Sequence, residues 1–506
     1  MSDSKPNTKK ITLTALIAMI FTTVFGFSNI PTGYMMMGYA AIPWYIIAGI
    51  TFFIPYALMV SEYGMAFKNE KGGIFVWMSK SVSKKYGFMG MFMWYTAFII
   101  YFVNVSSVFF MKISAFIFGK DTTSTWSLFG LNPNQTIGIY AIFLILLITI
   151  VSSKGVKNIS WLAKAGGTAI IIVELVIIIG SLVVLFSNHG EFAQPVNAAA
   201  FFKSPNKNFA STMGMLSFIT MAVSAYGGIE ASAGLVDKAE STSKIPKAIL
   251  GAVIIITASY AVLIFCLGTF VNWNETLGAD NVNLANVQYI IMYNLGYKVG
   301  ISIGAVESAA VIGSWFTRFY GLACSFMTLG SITVFFYGPL TQLIEGTPKE
   351  IWPKWLVKKD EKTGIPVKAM WVQSAIICLF LLVLSFGGSS VNSFWNLIIL
   401  MTNVAMTIPY MFIAGAFPFF KKNQNIEKPL NIFKTRTSTI IWTIIVVCTI
   451  GFANLFTIIS PAFNGDITST VLQIMGPTLF AIFGLLLYKK YLKSVENKKD
   501  SNSLTE

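Results

Sequence analysis

Charge is scarce in this chain: 11% of its 506 residues are Asp, Glu, Lys or Arg, where a soluble domain would carry about a quarter. Histidine is nearly absent, with His189 alone, placed between Asn188 and Gly190 in a polar connection. These shortages remove whole classes of function. There is no paired-His metal motif, no nucleophile elbow and no P-loop. Neither an enzyme nor an ATP-driven pump within this chain is expected, and no cofactor or metal is predicted. The four cysteines, Cys266, Cys324, Cys378 and Cys448, fall inside apolar runs at no metal-ligand or redox spacing. They read as small buried hydrophobes and imply no disulfide framework. No cleavable signal peptide is expected, because the first apolar run is too long for an h-region and lacks a suitable cleavage site.

Hydrophobic residues make up 55% of the chain and the mean hydropathy is +0.69, which marks an all-α polytopic membrane protein. Twelve apolar spans run over roughly 11–40, 42–66, 87–118, 136–153, 159–187, 209–235, 247–271, 300–340, 367–387, 391–420, 437–460 and 468–488. With the N-terminus in the cytoplasm, all but six of the 36 Lys and Arg residues fall on the cytoplasmic side. The exceptions are Lys112, Lys120, Lys203, Lys207 and Lys298 on the opposite side, and Arg318 within the membrane. This bias follows the positive-inside rule and predicts a multi-pass protein with both termini cytoplasmic. The net charge of +15 then reflects topology and attraction for anionic lipid, and nucleic acid is not an expected partner.

Two apolar runs are broken at their centres. The first break is Gly26-Phe27-Ser28-Asn29, and the second is Tyr226-Gly227-Gly228-Ile229-Glu230. Irregular backbone at membrane depth is tolerated where it lines a cavity, and paired breaks in two halves point to a transporter's substrate site. The expected organisation is a cytoplasmic tail (1–10), a five-helix repeat (11–187), a second and inverted five-helix repeat (209–420), two further helices (437–488) and a cytoplasmic tail (489–506). The last two helices are expected to scaffold the bundle or pack against a neighbour, so a homodimer is a candidate assembly. The connection 68–86 suggests a helix lying at the interface, 341–368 a hinge-like loop, and 497–506 a disordered tail.

Charges at depth are functional hypotheses by default, and four stand inside spans: Glu174, Glu230, Glu307 and Arg318. Glu62 stands at the end of span two and is expected to be less buried. Glu230 follows the Gly227-Gly228 pair of the second break, as a proton carrier or gate, or as a cap on freed backbone N–H groups. Glu307 and Arg318, eleven residues apart on one helix face, are too distant for direct contact. Glu174 is a candidate partner for Arg318, which either contacts an anionic substrate group or holds the bundle together. Pro31 suits a new helix start, whose N–H groups would meet a carboxylate, while carbonyls near Tyr226 to Gly228 would accept from an ammonium. These are the two ends of an α-amino acid. Trp315, Trp395 and Tyr101 either wall the cavity or pack the core, and Asn104 and Asn396 either bind substrate or join helices.

The run Gly227-Gly228-Ile229-Glu230-Ala231-Ser232-Ala233-Gly234, followed by Ser243-Lys244-Ile245-Pro246-Lys247-Ala248-Ile249, resembles the amino acid–polyamine–organocation transporters. Its Glu-Ala-Ser-Ala form is most similar to the glutamate:GABA antiporter branch. Glu62 with Lys71-Gly72-Gly73-Ile74-Phe75-Val76-Trp77, the unwound position Gly26 to Pro31, and Gly313-Ser314-Trp315 resemble further family signatures. The resemblance implies a LeuT-type fold of ten core helices plus two, with amino acid exchange or proton-coupled uptake in a bacterial inner membrane. The first break departs from the family's Gly-Ser-Gly-Ile-Phe form. Ser224 stands where arginine-exchanging relatives carry Trp, and the short tail has no counterpart of the branch's C-terminal plug.

The expected function is amino acid antiport by alternating access. Proton-coupled symport and exchange of polyamines or other organic cations are the alternatives. A channel fits the inverted breaks poorly, and a binding-only sensor lacks a signalling domain. Neither broken helix offers an Asp as a sodium ligand.

Overall fold

In a computed structural model that describes residues 12–70, 72–154, 160–230, 244–361, 364–387, 391–463 and 465–503, the described chain is helical with no strand. Lys71 and the motif residues Ala231 to Ser243 lie outside the described residues. The first apolar run forms α1 (Leu13–Val24) and α2 (Asn29–Met37), separated by Phe25 to Ser28. Pro31 stands in the first turn of α2, where its missing N–H costs no helical bond. A 3-10 turn, Gly38–Ala40, leads into α3 (Ala41–Ala48), a π-helical segment (Gly49–Phe53) and α4 (Ile54–Ala66). Pro55 cannot donate to the carbonyl four residues back, which accounts for the wider turn just before it.

The chain continues through α5 (Gly73–Ser81), α6 (Lys84–Phe118), α7 (Pro133–Ser153), α8 (Ser160–Ser187) and α9 (Thr212–Ser224). It then forms α10 (Lys244–Leu267), α11 (Trp273–Thr276), α12 (Val287–Ser302), α13 (Ala309–Gly346) and α14 (Lys354–Val357). The last four are α15 (Val367–Phe386), α16 (Val391–Lys422), α17 (Arg436–Phe463) and α18 (Ile467–Ser503). Polar side chains start several of them. Ser83 accepts from the Tyr86 amide ahead of α6, Ser211 from Gly214 ahead of α9, and Asn132 and Gln135 form a capping box at α7.

Among the described residues nine stretches are long and apolar enough to cross a membrane, with Ile171–Ser187 and Thr212–Ser224 as shorter apolar helices. The protein is thus an all-α polytopic membrane protein. Each of the twelve apolar runs holds at least one helix. Large apolar side chains stay exposed along the outer helices, among them Ile179, Ile254 and Leu486, as a lipid-facing surface requires.

Four boundaries differ from expectation. Span eight starts at Ala309 and not near 300, because Val287–Ser302 forms a separate helix and Glu307 falls in a 3-10 turn between them. Residues 341–346, expected as loop, continue α13 despite Pro339. Residues 497–503, expected as disordered, continue α18. The segment 73–81 does not lie along the interface. Its Ile74 to Met78 are buried between α6 and α16, with the Trp77 ring parallel to Tyr63 at 5.4 Å.

The bundle interior is organised by α6, which packs along both α13 and α16, while α10 packs against α1. The two breaks, Phe25 to Ser28 and the stretch after Ser224, fall inside this frame.

Candidate substrate site

One hydroxyl joins the two breaks. The Gly26 amide and the Asn29 side-chain amide donate to Tyr260 Oη at 3.2 and 3.1 Å, and Tyr260 Oη donates to the Ala225 carbonyl at 2.9 Å. A tyrosine hydroxyl offers one donor and two acceptor positions, so all its capacity is used. Tyr45 Oη donates to the Asn29 carbonyl at 2.8 Å, and Tyr226 Oη to the Tyr45 carbonyl at 3.0 Å. The Tyr45 ring stacks on Tyr260 with centroids 4.7 Å apart. At Gly26 a side chain of a neighbouring helix thereby satisfies backbone that its own helix has released.

The expectation of unpaired N–H groups at the first break narrows. The amides of Asn29 and Ile30 donate to the Gly26 and Phe27 carbonyls, both at 3.0 Å. Among the described residues, the amides of Phe27 and Ser28 have no backbone partner. In the second break, Tyr226 and Gly227 donate to the carbonyls of Val223 and Ser224 at 3.1 and 3.0 Å. A Cβ on Gly227 would stand 2.2 Å from Tyr410 Oη, and Gly228 has φ +107°, a region glycine alone enters easily. The glycine pair is required first by close packing and then by conformation.

A cavity of about 510 Å³ opens beside the breaks, within the usual size range for small ligands. Phe27, Ser28 and Asn29 line it from the first break, Gly227, Gly228 and Glu230 from the second, and Asn104 and Tyr101 from α6. Tyr226 and Ile229 are buried in the core, and neither they nor Gly26, bonded to Tyr260, stands in the lining. Glu230 is 8% exposed; Trp94 Nε1 donates to its Oε1 at 3.4 Å, while Oε2 has no hydrogen-bond partner among the described residues. Tyr56 and Tyr410 lie within electrostatic reach of this carboxylate.

Other expected site residues fall elsewhere. Glu307 is exposed in the turn before α13, so it shares no helix face with Arg318. Trp315 is 65% exposed, and the Arg318 guanidinium lies 5.7 Å from its ring. Arg318 donates to the carbonyls of Phe116 at 3.1 Å and of Ile117, in the last turn of α6. A cation is favoured there by the helix dipole, and the contact joins α13 to α6. The expected pairing with Glu174 is not formed. Glu174 is half-buried on α8, within electrostatic reach of Tyr260, and its Oε1 lacks a hydrogen-bond partner among the described residues. Trp395 is fully buried in the core and outside the cavity lining. Asn396 Oδ1 accepts from the Leu284 amide at 3.1 Å, a contact between segments.

Two further corrections concern charge. Glu62 is not less buried than the others: it is fully enclosed, because the end of α16 and the chain after it fold over its carboxylate. Lys112, counted above with the charges of the non-cytoplasmic side, lies 9% exposed in the cavity wall. The signal was present, since it is a lone charge in an apolar run. At 35 residues, α6 is about 52 Å long, so a position six residues from its end still lies within the bundle. A Cβ on Gly321 would stand 2.7 Å from the Lys112 carbonyl, and this bare backbone lets α13 approach α6 at that level.

Two breaks meeting at one cavity in a bundle of apolar helices are the architecture of a solute transporter, and the amino acid permease profile matches residues 11–483; the chain belongs to that family. The family is one of permeases and not of enzymes. The chain is 42% identical over 490 residues to the inner membrane transporter YjeM of Escherichia coli, covering 96% of this chain and 97% of that one. It is also 42% identical over 486 residues to the protein of the same name from Salmonella typhimurium, covering 96% of each. A glutamate/gamma-aminobutyrate antiporter of Lactococcus lactis is 24% identical over 433 residues, covering 84% of this chain and 79% of that one.

Proposed function

We propose that this permease is a secondary active transporter exchanging amino acids across a bacterial inner membrane by alternating access. The observation that carries this reading is the convergence of both breaks on one cavity, tied together by Tyr260. The substrate carboxylate would take the amides of Phe27 and Ser28, and its ammonium the carbonyls of Tyr226 to Gly228. The repeats 11–187 and 209–420 would rock about this site, with twelve crossings and both termini cytoplasmic. The similarity to an antiporter supports exchange. Proton symport is the second reading, favoured by the buried Oε2 of Glu230, which has no hydrogen-bond partner among the described residues, in a residue that lines the cavity.

Purified protein in liposomes tests both. Labelled glutamate should enter vesicles preloaded with glutamate or GABA and not empty ones. Uptake into empty vesicles driven by a pH gradient would replace antiport with symport. Absence of saturable flux for a full amino acid panel would reject the function. Glu230→Gln should transport with a rate that no longer changes between acidic and neutral pH; a pH profile like the wild type's would remove Glu230 from proton handling.

A further inference from the structure

Lys112 is the only charged residue of α6 beyond Lys85. Its Nζ donates to Thr328 Oγ1 on α13. Among the described residues no carboxylate pairs with it; the ion pairs found there join Lys80 to Glu70, Lys359 to Glu345 and Lys421 to Glu62. Glu230 does not pair with it: that carboxylate is held by Trp94, eighteen residues before Lys112 on the same helix. An ammonium in apolar surroundings with one hydroxyl partner either loses its charge or meets an anion. Among the described residues no carboxylate is bonded to it, so the anion that would hold its charge in the cavity would come with the ligand.

The surroundings give it a direction. Asn104, Val108 and Lys112 recur at helical spacing on α6, and Tyr320, Cys324 and Thr328 do so on α13; all six line the cavity. Tyr320 links this wall to the first break. Its ring lies 5.6 Å from Phe27, and its hydroxyl donates to Gln288 Oε1 at 2.6 Å. A ligand whose α-carboxylate sits at Phe27 and Ser28 would therefore extend along Tyr320 toward Lys112.

Resting on the amino acid transport reading above, we propose that Lys112 binds a second carboxylate of the substrate, which makes dicarboxylic amino acids the preferred class. The arrangement pairs the buried cation only when such a substrate is bound, so a neutral or cationic analogue leaves it unmatched.

Equilibrium binding to the purified full chain, read by calorimetry, tests this without requiring flux. Glutamate or aspartate should bind at least about tenfold tighter than glutamine or asparagine, a difference of about 1.4 kcal/mol. Lys112→Met should abolish that preference through a loss of acid affinity; Lys112→Arg should retain part of it. Wild-type protein that binds amides as tightly as acids overturns the inference, and so does a Lys112→Met variant that keeps the preference. Because the wild-type comparison decides alone, a misfolded variant does not rescue the proposal. Transport of neutral amino acids with no acid preference would reject Lys112 as an anion site and leave the transporter standing. Failure to bind or move any amino acid would reject both.

Discussion

Tyr260→Phe is expected to lower substrate flux at least about tenfold and to destabilise the fold by about 2–5 kcal/mol. The phenyl ring would preserve the stacking on Tyr45 at 4.7 Å and on Phe25 at 5.0 Å, so the loss isolates the hydroxyl. Removing it strands the Gly26 amide, the Ala225 carbonyl and the Asn29 side chain together. A buried polar group left without a partner, as the Ala225 carbonyl would be, costs about 1–3 kcal/mol, and the Gly26 amide and Asn29 side chain add less each because they are only half-buried and Asn29 borders the cavity. The functional loss has a separate origin. The hydroxyl is bonded to both breaks, so the relative position of the two halves of the site depends on it. Thermal unfolding in lipid and counterflow in liposomes measure the two effects. A phenylalanine variant with wild-type melting and wild-type exchange would show that the bridge contributes nothing.

Glu62→Ala should be the most destabilising substitution outside the cavity. The carboxylate is fully buried; Oε2 accepts from Lys421 Nζ at 2.7 Å and Oε1 from the amides of Ile432 and Phe433 at 2.6 and 2.9 Å. Lys421 is itself only 12% exposed and also donates to Asn431. Breaking one partner of such a pair leaves an uncompensated charge and two unsatisfied amides, with an expected loss of about 3–5 kcal/mol. Lys421→Ala should cost less, because the two amides still satisfy the carboxylate. Melting temperatures of the two variants give the order directly. Equal melting of Glu62→Ala and the wild type would mean that the chain after α16 closes over this end without the carboxylate.

These two residues show how far one sequence goes. The breaks were legible because glycine and polar residues at the centre of an apolar run have few tolerable explanations in a membrane. Glu230 was legible for the same reason, as a charge at depth. The Tyr260 bridge was not, because tyrosine is common in apolar helices and its partners are 234 and 35 residues away. Arg318 and Glu174 had the right charges for a pair. Whether they met depended on helix rotation, which periodicity does not give.

The sequence by itself determined the solvent, the helical class and the positions of the breaks. These follow from transfer free energy and from the need to satisfy each backbone group locally, and both act along the chain. Tertiary structure alone decided which charges face the cavity. It turned Lys112 inward through the length and path of α6, carried Glu307 and Trp315 out to the surface, and enclosed Glu62 beneath a distant segment. Those outcomes depend on how helices cross and rotate against one another. The side chains at each crossing set that jointly, and no single run of sequence contains them.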